Sequence, residues 1–251
     1  MLKSLIIAFS TYSRIPMPKL EWDEAGMRYS LCFFPLVGAA LGALSVICFF
    51  ALDALGFGTP LRAAILGALP VLVTGGIHMD GFLDTVDAKS SWRPREEKLR
   101  ILKDPHTGAF AVIYAGIFLL LQYGLFTEVS EREIGFVAAG YVCSRIFSAL
   151  SIAVFRKARK DGMAATAADA APKRVKGILA AELAVVSVLL LWADVVRGGV
   201  VLLACAAVFL YYRRMSSREF GGITGDLAGY FLQVCELCVL AGSVFAGRFL
   251  G

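Results

Sequence analysis

Residues 30–52, SLCFFPLVGAALGALSVICFFAL, form an apolar stretch without a charged side chain. A helix of about 20 apolar residues crosses the hydrocarbon core of a bilayer, so this stretch predicts a transmembrane helix. Similar stretches predict seven spans in all, near residues 30–52, 60–79, 108–126, 134–155, 177–193, 197–212 and 227–247. The fifth and sixth are short and closely joined, which predicts a tight helical hairpin. The fold class is therefore all-α, a polytopic integral membrane bundle of about seven helices.

The composition agrees with a membrane protein. The 251 residues are 58% hydrophobic, and their mean hydropathy is +0.72, well above the range of soluble domains. We expect one membrane domain over residues 1–251 and no separate soluble domain. Residues 1–11, MLKSLIIAFST, lack a small-residue cleavage site and predict an N-terminal interfacial helix. The six cysteines lie almost wholly in apolar stretches, which favours packing over disulfides, and the Cys235–Cys238 spacing has no second pair to complete a metal site.

The basic residues predict the orientation. Of 25 Lys and Arg residues, 20 lie in the N-terminal segment and in the connections at 80–107, 156–176 and 213–226. Because positively charged connections stay in the cytoplasm, we expect a cytoplasmic N-terminus and active-site loops, 74–108 and 213–226, on the cytoplasmic face of a bacterial or archaeal inner membrane. Topology alone explains the 156–176 loop equally well, and its AATAADAA run predicts a flexible segment.

The loop after the second span is acidic as well as basic. In TGGIHMDGFLDTVD (74–87), Asp80, Asp84 and Asp87 follow one another at i, i+4 and i+7. At 3.6 residues per turn, these carboxylates project within roughly 60° of one another. A divalent cation relieves their repulsion, and Mg²⁺ prefers such oxygen ligands together with phosphates. The alternative is a solvated amphipathic helix at the membrane surface. The glycines of this stretch, Gly75, Gly76 and Gly81, favour close approach of backbone or ligand.

A second candidate segment, LKDPHTGAF (102–110), precedes the third span on the same side. Asp104 is a candidate fourth metal ligand, and His106 is a candidate phosphate contact or general base. His78 and His106 are the chain's only histidines. Either of them is equally explained as a polar anchor at the membrane boundary.

The third candidate segment is the glycine-rich loop FGGITGD (220–226) before the last span. We expect Gly221, Gly222, Thr224, Gly225 and Asp226 to offer backbone N–H groups and a helix N-terminus to a phosphate. Two charged residues also lie within predicted spans, Arg145 and Glu236. They are either an ion pair or substrate ligands.

Taken together, these segments closely resemble the adenosylcobinamide-GDP ribazoletransferase (cobalamin synthase) family. The resemblance extends over nearly the whole chain and rests on YSRIPMP (12–18), FPLVGAALGAL (34–44), TGGIHMDGFLDTVDA (74–88), EEKLRILKDPHTGAFAV (96–112), CSR (143–145) and GGITGDLAGYFLQVCEL (221–237). The GGxHxDGxxDTxD pattern is the most specific of them. Family members commonly carry glycine at Ala88, Ser-Arg at Pro105-His106 and glutamate at Gln233.

The resemblance implies a Mg²⁺-dependent membrane transferase. Such an enzyme joins adenosylcobinamide-GDP to α-ribazole or its 5′-phosphate and releases GMP. The implied metal ligands are Asp80, Asp84, Asp87 and Asp104, and a carboxylate or His78 accepts the hydroxyl proton. The implied substrate contacts are Lys103, His106, Arg145, Glu236 and the 221–226 loop. His106 or a nearby cation replaces the family's arginine, and Gln233 leaves Glu236 as the carboxylate of the last span.

Three other function classes fit this sequence less well. CDP-alcohol phosphotransferases also bind metal through aspartates on membrane helices, but their Asp-x-x-Asp-Gly spacing is absent here. A transporter or channel is typified by charged groups near the membrane midplane and by inverted repeats, whereas these carboxylates cluster at one face. A structural scaffold does not need charge concentrated in two loops. The expected partners are the lipid bilayer and the substrates, adenosylcobinamide-GDP and α-ribazole or its 5′-phosphate. We expect no nucleic-acid partner, and homo-oligomerisation stays open.

Overall fold

The computed structural model describes residues 1–20 and 23–250, and its regular structure there is helical. The α-helices are α1 (Leu2–Tyr12), α2 (Glu24–Met27), α3 (Ser30–Ala54), α4 (Thr59–Thr74), α5 (Ile77–Ser90), α6 (Arg95–Ile101), α7 (Ala109–Thr127), α8 (Glu131–Val154), α9 (Met163–Ala170), α10 (Arg174–Ala193), α11 (Val195–Met215) and α12 (Gly225–Phe249). A π-helical turn, Ser216–Phe220, extends α11. The predicted all-α class is confirmed.

Six of these helices are long and apolar enough to cross a membrane: α3, α7, α8, α10, α11 with its π-turn, and α12. The pair α4 and α5, taken together as one broken span, gives a seventh candidate crossing. The predicted multi-pass bundle of about seven helices is confirmed, as is the short apolar N-terminal helix α1. The predicted hairpin is also present, because only Asp194 separates α10 from α11 and its carboxylate accepts the backbone N–H groups of Val196 and Arg197.

The predicted span 60–79 was wrong in its last turn. Helix α4 ends at Thr74, and α5 departs from it at 94°. Gly75 and Gly76 have φ angles of 65° and 83°, in the left-handed region that glycine adopts without a Cβ clash. The bend therefore turns α5 away from the axis of α4, so the carboxylates of α5 do not continue that helix.

The two ends of the bundle differ. At one end, α4 finishes beside the residues that follow α1, where the Arg14 N–H donates to the Val73 carbonyl at 2.7 Å. That end carries α1, α5, α6 and α9, and is called the motif face below. At the opposite end, Asp53 after the core of α3 and Arg62 at the start of α4 form an ion pair at 2.5 Å. Helix α4 thus traverses the whole bundle.

Two tight helix contacts form the centre of the bundle. Helix α3 packs on α8 through Gly38 and Gly42, where an added Cβ would lie 2.7 Å from the Ala138 carbonyl oxygen at Gly42. Small residues four apart let two membrane helices approach this closely. The other central helix, α12, is the most buried span and packs on α5, α8 and α11.

The 156–176 connection does not match the flexible segment predicted for it. Met163–Ala170 forms α9, which packs against α8 and α12. Ala165 and Ala167 are buried, and the Lys157 ammonium pairs with Asp169 at 2.5 Å. Alanines have the highest helix propensity, so the same composition that suggested flexibility supports a short helix once it has a surface to pack on. The six cysteines are free, as expected.

Candidate active site

Asp80, Asp84 and Asp87 lie on α5, so the predicted helical spacing is confirmed. Asp80 is exposed, while Asp84 and Asp87 are half-buried. Burial, and to a smaller extent the charges of Asp80, Asp226 and Asp87, together raise the pKa of Asp84 to about 7. The α5 carboxylates therefore repel one another within a partly desolvated site.

Asp226, at the start of α12, belongs to the same group of carboxylates. A Cβ added at Gly81 would lie 2.6 Å from the Asp226 carbonyl oxygen, and one added at Gly229 would lie 3.0 Å from the His78 carbonyl oxygen. These two glycines let the backbones of α5 and α12 touch. The sequence placed Asp226 in a phosphate-binding loop and did not connect it with the aspartates of α5.

Asp87 has a second contact that its spacing did not reveal. Its carboxylate accepts the backbone N–H groups of Gly108 at 2.6 Å and Ala111 at 2.9 Å, at the first turn of α7. An anion at this position satisfies unpaired N–H groups and complements the helix dipole. Asp87 thus fixes α5 to the start of α7.

The 102–107 segment is not part of the carboxylate group. Asp104 is exposed and accepts from the backbone N–H of His106 at 3.0 Å, and its carboxylate contacts His106 Nδ1 at 2.7 Å. These contacts lower the pKa of Asp104. Lys103 pairs with Asp161 at 2.8 Å, also in solvent, which ties this segment to the connection before α9. Asp104 and His106 bond to each other rather than to the α5 group.

Most backbone groups of the glycine-rich loop are already paired. The Gly222 N–H donates to the Ser216 carbonyl at 3.1 Å, and the Ile223 N–H donates to the Arg156 carbonyl at 2.8 Å. The Thr224 hydroxyl caps α12 by accepting from the Leu227 N–H at 3.2 Å. Gly221 lies against the guanidinium of Arg95. The loop therefore presents the N-terminus of α12, with Gly225 and Asp226, rather than a row of free N–H groups.

Arg145 and Glu236 form an ion pair deep in the bundle, one of the two alternatives left by the sequence. Arg145 Nη1 lies 2.5 Å from Glu236 Oε1, and the two side chains are 0% and 7% exposed. The same nitrogen donates to the Tyr141 carbonyl at 2.9 Å and to the Ser144 hydroxyl at 3.1 Å. Both charges are thus compensated within the protein.

A cavity of about 140 Å³ adjoins the carboxylates at the motif face. Asp80, Gly225 and Asp226 lie on its wall together with Tyr12, Phe34 and His78. The His78 side chain is buried, and this burial, reinforced by the charge of Arg145, lowers its pKa to about 3. His78 is therefore a neutral imidazole at the site. A larger cavity, of about 600 Å³, lies at the opposite end beside Glu133 and Arg197 and contains none of the motif residues.

The carboxylates do not form a ready-made metal cage. Over residues 1–20 and 23–250, no group of three or more His, Cys, Asp or Glu side chains has metal-binding geometry. Mg²⁺ does not require one, because it usually binds through one or two carboxylates, several waters and substrate phosphates. The oxygen donors of Asp80, Asp84 and Asp226 are the hard ligands that this cation prefers.

Fold and site define a polytopic helical membrane protein with a carboxylate-rich pocket at one end of its bundle. Residues 4–244 match the cobalamin-5-phosphate synthase family, and the chain belongs to it. Three relatives, each named adenosylcobinamide-GDP ribazoletransferase, align over nearly their whole lengths. The protein of Lachnoclostridium phytofermentans is 43% identical, with 94% of this chain and 91% of the relative aligned. Those of Clostridium botulinum and Chlorobaculum parvum are 32% and 33% identical, with 94% and 95% of this chain and 94% of each relative aligned. No solved structure matches the chain.

Proposed function

We propose that this protein is an adenosylcobinamide-GDP ribazoletransferase. It joins adenosylcobinamide-GDP to α-ribazole or α-ribazole 5′-phosphate and gives adenosylcobalamin or its 5′-phosphate together with GMP. The observation that carries the proposal is the meeting of Asp80, Asp84 and Asp226 beside a cavity. It occurs in a chain that aligns with 91% and 94% of the length of two relatives of that name.

The reaction is a phosphodiester exchange. The ribazole 3′-hydroxyl attacks the phosphorus on the cobinamide side of the diphosphate, and a carboxylate of α5 takes its proton, because burial lowers the pKa of His78 to about 3 and makes its ring a poor proton acceptor. The new phosphorus–oxygen bond forms as the bond to the bridging oxygen breaks, and that oxygen leaves with GMP. The protein's contribution is to hold the attacking and leaving oxygens in line.

Mg²⁺ dependence is part of the proposal. The candidate ligands are Asp80, Asp84 and Asp226, because their oxygens share one partly desolvated region and Asp87 already accepts two N–H groups of α7. When bound, the cation neutralises the charge of the diphosphate and of the transition state. Without a counter-ion, carboxylates this close disfavour one another's ionised forms.

Cationic side chains supply the remaining charge for a diphosphate. Lys103 and Arg159 both act on the Asp226 carboxylate electrostatically. Arg95 lies over Gly221 at the other side of the loop. These three side chains, two from the 80–107 connection and one from the 156–176 connection, lie near the start of α12 and are the proposed phosphate contacts.

We further propose that the motif face is cytoplasmic in the inner membrane of a bacterium or archaeon. The connections at this face hold 20 of the 25 Lys and Arg residues, and positively charged connections stay in the cytoplasm.

The test is a reconstituted assay. Purified protein in liposomes is given adenosylcobinamide-GDP, α-ribazole and Mg²⁺, and release of GMP and cobalamin is measured. We expect activity that is lost with EDTA and in Asp80→Asn, but kept in the matched control Asp53→Asn at the opposite end of the bundle. GMP release no greater than in Asp80→Asn would overturn the proposal. Solute uptake into sealed liposomes without product would favour transport instead.

A further inference from the structure

The cavity at the motif face has an aromatic wall and an acidic mouth. Tyr12 and Phe34 lie against each other with ring centroids 4.2 Å apart, and His78 packs on Phe34 with a centroid separation of 5.9 Å. Asp80 and Asp226 also line this cavity, at the place where α5 meets α12. The cavity thus connects an apolar aromatic interior with the carboxylates of the proposed site.

Two buried polar atoms beside this cavity have no partner among the described residues. They are His78 Nε2 and the Ser148 hydroxyl oxygen, and their side chains belong to residues that are 4% and 1% exposed and that line the cavity. Buried polar groups are nearly always hydrogen-bonded, so each exception calls for a physical reason. A ligand with one or two hydrogen-bonding atoms on an otherwise apolar ring system supplies it.

We propose that this cavity binds the planar base of the ribazole substrate. The inference rests on the proposed function and assigns one of its two substrates to a specific place. An apolar cavity of about 150 Å³ accommodates a benzene ring, so the cavity here, of about 140 Å³, accommodates the methyl-bearing ring of a benzimidazole. The ring nitrogen that is not bonded to the ribose is an acceptor, so it accepts a hydrogen bond from the Ser148 hydroxyl or from His78 Nε2–H, and Tyr12 and Phe34 provide aromatic contacts.

The other bases and rings of the reaction fit this cavity poorly. Guanine carries several donors and acceptors along its edge, and burying them where few partners exist is unfavourable. The corrin ring is far larger than the cavity. A dimethylbenzimidazole exposes mostly apolar surface, and its burial against the aromatic and aliphatic side chains of the cavity is favourable.

Binding of the base in this cavity determines where the reacting ribose lies. With its base in the cavity, the ribose of the substrate lies at the mouth, beside Asp80 and Asp226, where the proposed chemistry occurs. Helix α9 covers the same cavity through Met163 and Ala164. The 156–176 connection, for which the sequence predicted a flexible segment, thus contributes a wall of the proposed substrate site.

The experiment compares two phenylalanine substitutions on α9. Ala164→Phe places a ring at the cavity wall, whereas Thr166→Phe places it on the exposed side of the same helix. Steady-state GMP release is measured while each substrate is varied in turn. We expect Ala164→Phe to raise KM for α-ribazole by about tenfold or more, with little change in KM for adenosylcobinamide-GDP, and Thr166→Phe to leave both unchanged.

A second variant and a binding measurement protect the test against misfolding. Tyr12→Leu removes part of the aromatic wall without filling the cavity, and should weaken equilibrium binding of α-ribazole while Thr166→Phe does not. If the wild-type protein releases no GMP, the proposed function fails irrespective of the cavity. If the wild type is active but neither variant alters α-ribazole binding, the cavity assignment is wrong. A selective rise in KM for adenosylcobinamide-GDP would assign the cavity to that substrate and also overturn the inference.

Discussion

The buried ion pair of Arg145 and Glu236 makes a quantitative prediction. Replacing Glu236 by Gln leaves the arginine charge, which is 0% exposed, without its carboxylate. Removing one partner of a buried pair typically lowers the free energy of unfolding by about 3–5 kcal/mol, because the remaining charge stays desolvated. We expect Glu236→Gln and Arg145→Met each to fall in that range. The double variant Arg145→Met/Glu236→Leu should be clearly more stable than either single variant, since it buries no charge.

The assay is unfolding in detergent, followed by helix content and by the accessibility of the buried cysteines. The matched control is the pair of Arg62 and Asp53, which has the same 2.5 Å separation but in which Asp53 is 55% exposed. Exposed pairs contribute about 0–1 kcal/mol, so Asp53→Asn should hardly alter the transition. The comparison keeps the distance between the charges constant and varies their burial.

Equal destabilisation in the single and double variants would refute this reasoning, because the energy would then come from packing rather than from an unpaired charge. GMP release provides a second measurement. If the pair is only structural, the double variant keeps its activity once folded. A folded but inactive double variant would restore the earlier expectation that Arg145 contacts the diphosphate.

Three other predictions concern the motif face. Asp87→Ala should lower the free energy of unfolding by about 1–2 kcal/mol, measured by chemical unfolding, because the first turn of α7 loses both of its acceptors; Asp80→Ala, which removes no such bond, should reduce activity with little loss of stability. Gly81→Ala should lower both stability and GMP release, since its Cβ would lie 2.6 Å from the Asp226 carbonyl oxygen, whereas Gly116→Ala, with no atom within 4 Å of the new Cβ, should change neither. Mg²⁺ at about 100 times its Kd should stabilise the protein by about 2.7 kcal/mol in thermal melts, and an unchanged melting temperature would contradict a cation site in the free protein.

Hydropathy predicts the membrane bundle well because each span satisfies its own backbone hydrogen bonds and only has to be apolar. The apolar stretch at 30–52 lies within α3, and the short stretches at 177–193 and 197–212 lie within the hairpin of α10 and α11. The missed residues at the start of α10 and at the end of α11 include Arg174, Lys176, Arg213 and Arg214, charged side chains that hydropathy excludes although they continue the helix. Span prediction from this sequence is therefore limited mainly at helix ends.

The bend after α4 shows what hydropathy does not record. The apolar window runs smoothly through Thr74 to Met79, but the chain direction changes at Gly75 and Gly76. Two consecutive glycines are a turn signal that outranks a continuous apolar pattern. That local signal was present in the sequence, and giving it more weight would have separated α4 from α5.

Local sequence patterns predicted only part of the candidate site. Helical spacing grouped Asp80, Asp84 and Asp87 because their relation is internal to one helix. The approach of Asp226 and the bonds from Asp87 to the first turn of α7 depend on long-range packing between helices. The proposed cation ligands therefore change from the predicted set of Asp80, Asp84 and Asp87 with Asp104 to a set shared by α5 and α12.

Two glycines explain why the site forms at this place. Gly81 on α5 and Gly229 on α12 let the two backbones meet, so that the Asp226 carbonyl oxygen would lie 2.6 Å from any Cβ on residue 81. The same approach brings the carboxylate of Asp226 towards those of α5, where it raises the pKa of Asp84. A close helix contact usually stabilises a membrane bundle, but here it also concentrates negative charge, which opposes folding without a counter-ion. A cation and a substrate diphosphate relieve that opposition, so binding and assembly of the site are coupled.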